Sequence, residues 1–193
     1  MYFFEILKGV KYMSEGKILA IRIVGDPILK TKCREINLDD LKEGKYKDLC
    51  NDLKETLLFN TNAYGLAAPQ VGYDLRMIVI NVKKEDVKYN DPQDIPLTIM
   101  INLKWNNLDE EMDEQFEACA SVPQIAGKVK RYKNIEIEYY DENGNYVKKE
   151  VNGFFARLIQ HECDHLDGIV FLNRVEREFA TKDMIKKYNL RKS

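Results

Sequence analysis

Both histidines of this 193-residue chain fall within one short run, His161-Glu162-Cys163-Asp164-His165. Residues four apart on an α-helix share a face, so imidazoles at 161 and 165 can reach one ion while Glu162 stands beside it. That is the HExxH arrangement of hydrolytic metal sites, where the glutamate handles protons and the ion activates water. The pattern fixes the chemistry and is silent on the substrate. It also leaves the ion short of a ligand, because the chain has no further histidine to offer.

The third ligand must therefore be of another kind. Extending the motif reaches Gly168, as in the metzincin proteases, but Phe171 stands where their third histidine belongs. A thermolysin-like arrangement needs a downstream glutamate; Glu176 and Glu178 lie beyond Gly168 on a charged stretch that reads as solvated. Cys163 points to a different side of the helix from the histidines and reads as a small core residue. Cys119 is the better candidate, since Phe116-Glu117-Ala118-Cys119-Ala120-Ser121-Val122-Pro123 is small and apolar after the acidic run from Asp109 to Glu114. The 4 cysteines show no CxxC spacing and no disulfide framework, which fits reduced thiols in a cytoplasmic protein.

These residues need elements to position them. Residues 154–166 read as a helix with Phe155, Leu158, Ile159 and Leu166 as a buried stripe, ended by Asp167-Gly168. Ile21–Gly25 reads as a short strand, and Asp39 or Asp40 as the cap of a helix to about residue 60, with Leu49, Leu53 and Leu57 on one face. Residues 75–82 and 98–102 read as buried strands, separated by a polar loop with two prolines. Residues 134–140 and 146–151 form a hairpin around Asp141–Asn145, and a last helix is expected over 176–188. Few helices and many short strands give an α+β class. Without a linker or repeat, residues 20–193 read as one catalytic domain behind an N-terminal extension, residues 1–19, that lacks secretory or transit features. With 30 basic and 32 acidic residues, the net charge of −2 gives no reason to expect DNA binding, and no apolar run is long enough to span a membrane.

Three segments in order resemble the motifs of the peptide deformylase family: Ala63-Tyr64-Gly65-Leu66-Ala67-Ala68-Pro69-Gln70, Glu117-Ala118-Cys119-Ala120-Ser121, and His161-Glu162-Cys163-Asp164-His165. The opening IRIVGDPILK at 21–30 and QHECDHLDGIVF at 160–171 are similar to the family as well. The resemblance implies short antiparallel sheets packed around a central HExxH-bearing helix. It implies Cys119, His161 and His165 as metal ligands, Glu162 as the acid–base group, and the Gln70 amide with the Ala120 backbone N–H as donors to the oxyanion. Tyr64, Gly65, Leu66, Ala118, Phe154 and Leu158 would line the substrate site, and Glu117 with Arg131 would brace the cysteine segment. The ion would be Fe²⁺, with Zn²⁺, Ni²⁺ or Co²⁺ able to replace it. The substrate would be an N-formylmethionyl peptide, met near the ribosomal exit of the nascent chain.

The sequence departs from the family pattern at four places. Ala63 replaces a glycine, Ala118 and Ala120 replace glycine and leucine, and Gln124 stands where glycine often follows the proline. If position 118 requires φ > 0, an alanine there costs about 1 kcal/mol or more, and its Cβ would narrow the peptide groove. Two further readings of the same residues are a related metallo-amidase or peptidase with a shifted substrate, and a metal-retaining relative without activity. Glu162 argues for an enzyme, since binding alone has no use for that carboxylate.

Overall fold

The structure is a computed structural model that describes residues 16–87 and 93–188. Helices α1 (Leu38–Lys42) and α2 (Lys47–Phe59) precede strands β1 (Gly65–Ala67), β2 (Met77–Val82), β3 (Ile95–Asn107), β4 (Met112–Cys119), β5 (Val122–Tyr132), β6 (Asn134–Tyr140) and β7 (Tyr146–Asn152). Helix α3 (Gly153–Leu166), strand β8 (Phe179–Thr181) and helix α4 (Lys182–Tyr188) follow. All ladders between named strands are antiparallel; one sheet has the order β1-β2-β3-β6-β7 and the other β4-β5-β8.

Strand β2 shows why the chain folds in layers. Its sequence MIVINV is apolar without alternation except at the half-buried Asn81, as a strand covered on both faces requires. Ile78, Ile80 and Val82 join the core shared with α3 through Phe155, Leu158 and Ile159. Met77 and Val79 join a second core with Leu49, Leu53 and Leu57 of α2. The larger sheet thus lies between the two helices, and α3 also touches β5 of the smaller sheet. From Phe155 to Leu166 every residue of α3 is buried, polar ones included.

Several expectations need correction. Residues 21–25 form no strand: Arg22 N donates to Gln70 O at 2.7 Å and Val24 N to Ser121 O at 2.8 Å, two bonds to two different segments rather than a ladder. Asn37, not Asp39 or Asp40, caps α1, its Oδ1 accepting from both of their amides, and the expected long helix breaks at Gly44 (φ +79°). The 98–102 segment belongs to a 13-residue β3. Residues 176–188 are helical only from Lys182, because Phe179, Ala180 and Thr181 pair with Gly127, Ala126 and Ile125 of β5. Of the expected extension, residues 1–15 lie outside the described residues; Lys17 N and Leu19 N bond to Asp52 Oδ1 and Thr56 Oγ1 of α2.

Candidate metal centre and active site

Helix α3 begins at Gly153 (φ +56°), whose N–H donates to Lys133 O, and it ends where Gly168 takes φ +73°. A Cβ on Gly168 would sit 2.7 Å from the Lys30 carbonyl, so position 168 demands glycine twice over. The buried Arg76 guanidinium seals this end, donating to Asp167 Oδ1 at 2.6 Å and to Leu103 O at 2.9 Å. The helix is therefore fixed at both ends, which fixes what it carries.

On the α3 turn facing β4, the rings of His161 and His165 lie 5.1 Å apart. Cys119, the last residue of β4, brings its Sγ to 3.2 Å from His165 Nε2. Ligand atoms of Cys119, His161 and His165 all lie within 4.8 Å of one another. Two imidazoles and a thiolate are the borderline-soft donor set that suits Zn²⁺ or Fe²⁺. Burial opposes a charged sulfur, but the two imidazoles outweigh it and hold the Cys119 thiol well below its usual range. Cys163, by contrast, is 2 % exposed in the core, and burial pushes its thiol up.

Glu162 is buried beside this cluster, and its Oε2 has no hydrogen-bond partner among the described residues. Desolvation raises its carboxyl to about 7 against the pull of the two imidazoles. A Cβ added to Gly65 would stand 2.4 Å from Glu162 Oε1, so β1 passes the carboxylate at a distance only glycine permits. Gln70 sits in the 3₁₀ turn Ala68–Val71 with its Oε1 held by Ala67 N at 2.8 Å. Its Nε2 donates to Cys119 Sγ at 3.3 Å and to Ser121 Oγ at 3.1 Å, which occupies both amide hydrogens. Ala120 and Ser121 form the two-residue turn between paired Cys119 and Val122.

Not every expected residue faces this centre. Tyr64 and Phe154 meet edge to face with centroids 5.4 Å apart, and Leu158 packs in the α3 core beside them. Leu66 points the other way, into the α2 core, because alternate residues of a strand face opposite sides; its side chain cannot line the site. Ala118 likewise packs with Phe116, Ala126 and Ile185, on the face of β4 opposite Cys119. It pairs with Ala126 in the ladder and has no positive φ, so the strain expected of its Cβ does not arise. Gln124 does bear that strain, at φ +67°.

Behind the ligands lies a charge network that the sequence reading found only in part. Arg131 clamps Glu117 through Nε and Nη2, both at 2.9 Å, and Glu117 Oε2 accepts from His161 Nδ1 at 2.9 Å. Arg157 adds a further bond to Glu117 at 2.7 Å and reaches Asp113 at 2.6 Å, while Asp164 joins Arg131 to Arg174. Burial opposes the Glu117 charge, but Arg131 and His161 hold its carboxyl well below the carboxylate range. The signal for Arg157 was available: a charged residue inside FFARLIQ, a stretch with no room for solvent, must have buried partners.

Comparison with known proteins agrees with this geometry. Residues 18–180 match the family model described as polypeptide deformylase. The chain is 40% identical over 167 residues to a peptide deformylase of Dictyoglomus thermophilum, covering 86% of this chain and 99% of that one. It is 35% identical over 164 residues to peptide deformylase 1 of Nitrosomonas europaea, covering 84% and 91%. A Met-Ala-Ser-bound class I type b peptide deformylase from Acinetobacter baumannii superposes with a TM-score of 0.77 at 31% identity, over 84% of this chain and 100% of that one. With its three motifs gathered at one centre and these likenesses spanning most of its length, the chain belongs to the polypeptide deformylase family, metal-dependent hydrolases that remove the formyl group from the N-terminal methionine of polypeptides.

Proposed function

We propose that Cys119, at the end of β4, and His161 and His165, on a helix about which both sheets are packed, hold the divalent ion of this hydrolase, and that Glu162 carries its protons. The convergence of one sulfur and two imidazoles within 4.8 Å, beside a carboxyl raised to about 7, is the observation that carries this reading. When bound, the ion supplies Lewis acidity, drawing charge from an oxygen and lowering the pKa of water. Glu162 Oε2 accepts a proton from the attacking water and returns it to the amine that leaves with the methionine. The Ala120 N–H and the Gln70 amide receive the charge that grows on the formyl oxygen. Because both Gln70 hydrogens are engaged, on the Cys119 sulfur and the Ser121 hydroxyl, one of them turns to the substrate when the oxyanion forms.

Glu117 and Arg131 orient His161, fixing Nδ1 as its donor atom and leaving Nε2 for the ion. Tyr64, Phe154 and Leu158 form the apolar wall beside Gly65 against which a methionine side chain packs. The native ion is Fe²⁺, replaceable by Zn²⁺, Ni²⁺ or Co²⁺, and the enzyme meets its substrate in the cytoplasm near the ribosomal exit. Its four cysteines, all buried and unbridged, suit a reducing compartment.

The test is formate release from formyl-Met peptides by anaerobically prepared protein of measured metal content. Cleavage of acetylated analogues at an equal rate would overturn the substrate assignment. Glu162→Ala should retain metal and lose turnover, whereas Cys119→Ala should lose metal; unchanged metal in Cys119→Ala would mean the third ligand lies elsewhere.

A further inference from the structure

The turn Cys119–Val122 is gripped from three directions. Gln70 bonds to the Cys119 sulfur and the Ser121 hydroxyl, and Val24 N donates to Ser121 O at 2.8 Å. The third grip comes from the far end of the chain. Pairing of Ile125 with Thr181 in the β5–β8 ladder sets the next residue, Lys182, beside the turn, where its Nζ donates to Cys119 O at 3.3 Å. That carbonyl and the Ala120 N–H are the two ends of one peptide group. Among the described residues no peptide bond is cis, so the two ends point in opposite directions. An ammonium on the oxygen draws electron density through the amide and makes the N–H at its other end a stronger donor.

We propose that Lys182 is a positioning residue for the hydrolysis, acting through the Cys119–Ala120 peptide to strengthen the Ala120 N–H as a donor to the oxyanion. This rests on the Ala120 assignment made above. The polarised N–H bonds more strongly to a full negative charge than to a neutral carbonyl, so its effect falls on the transition state rather than on substrate binding. Lys182 touches no reacting atom itself. It is joined to β8 and α4, elements that carry none of the three motifs.

The experiment compares Lys182→Met and Lys182→Arg with the parent protein, all loaded with diamagnetic Zn²⁺, by steady-state kinetics on a formyl-Met peptide and by ¹H–¹⁵N NMR. Loss of one oxyanion donor costs about 10²- to 10³-fold in kcat, and weakening one costs a part of that. Lys182→Met should therefore lower kcat about 5- to 10-fold at unchanged KM and move the Ala120 amide proton upfield, and Lys182→Arg should restore both. The Ala126 amide, opposite Ala180 in the ladder, reports that β8 is in place; should Lys182→Met disturb it, Lys182→Gln is read by the same criteria. An Ala120 amide that does not move overturns the proposal and leaves the oxyanion assignment standing. A moved amide with unchanged kcat also overturns it, and places the fault in the Ala120 assignment. A loss confined to KM, or one that arginine does not restore, reduces Lys182 to a strut.

Discussion

At Gly65 the absence of a side chain is what lets Glu162 lie where it does. A methyl group there would stand 2.4 Å from Glu162 Oε1, and with Glu162 buried the carboxylate would have to swing toward the ligands. Misplacing a catalytic group by 1 Å costs on the order of 100-fold. Gly65→Ala should therefore lose about that much in kcat while metal content stays at the parent level, measured by formate release and elemental analysis. A second pair of residues separates conformational strain from its compensation. Among the described residues, Asn102 (φ +54°) and Gln124 (φ +67°) are the two non-glycine residues in the left-handed region. Asn102 offsets its strain with two side-chain bonds to the backbone of Ile36, both at 2.8 Å, whereas Gln124 is exposed with no such anchor. Gln124→Gly should gain about 0.5 kcal/mol, the relief of the left-handed backbone less the added freedom of the unfolded chain, and Asn102→Gly should lose about 1–2 kcal/mol. Urea unfolding checks both; shifts of the same sign would show that the side-chain bonds of Asn102 do not set it apart from Gln124.

At the scale of elements, α3 is a helix buried along nearly all its length that nonetheless carries Arg157, Glu162, Asp164 and two histidines. Arg157 and Asp164 are tolerated because each closes on an opposite charge, and Glu162 because desolvation raises its carboxyl to about 7. Removing one member leaves another stranded, which costs about 3–5 kcal/mol for a buried pair. Arg157→Met takes one buried guanidinium away from Glu117 and Asp113 and should destabilise by about 3 kcal/mol, whereas Arg174→Met, with its side chain 47% exposed, should cost about 1 kcal/mol or less. Equal losses by chemical denaturation would mean that burial does not set the value of these pairs. This network also marks where the sequence stopped being legible. The proposed ligands and Glu162 could be singled out because His, Cys and Glu carry their chemistry in their side chains at a recognisable spacing. Arg157 and Asp164 depend on partners 40 and 33 residues away, at Glu117 and Arg131, and only the folded chain brings them together. Strands β4 and β5 escaped for a related reason. The register shift after Ala118 breaks their pairing at the functional turn, so no simple hairpin pattern runs through it.

Across the whole molecule, two cores flank one sheet, and the thiols report on them separately. Cys33 and Cys163 belong to the α3 core and Cys50 to the α2 core. Burial pushes the thiols of Cys33 and Cys50 up to about 11 and raises that of Cys163 still further. Since the thiolate is the reactive form, these three should resist iodoacetamide at pH 8 in the native protein and become reactive only on unfolding or strongly alkaline exposure. Mass spectrometry of labelled peptides before and after denaturant checks this; labelling of Cys33 or Cys50 in the native state would contradict the burial. The α+β class and the helix bearing the histidines were legible from periodicity together with turn and stop signals such as Asp167-Gly168. The second sheet was not, because its edge strand β8 is three residues long and takes its identity from β5 rather than from its own composition.

The three grips on the Cys119–Val122 turn also bear on the time course of folding. Val24, Gln70 and Lys182 reach the turn across sequence separations that no local element spans, and each closure is slow compared with forming a helix. On refolding, helical signal should therefore return well before turnover. In this protein formate release reads out the last step of folding, when the two ends of the described chain have met at the same turn.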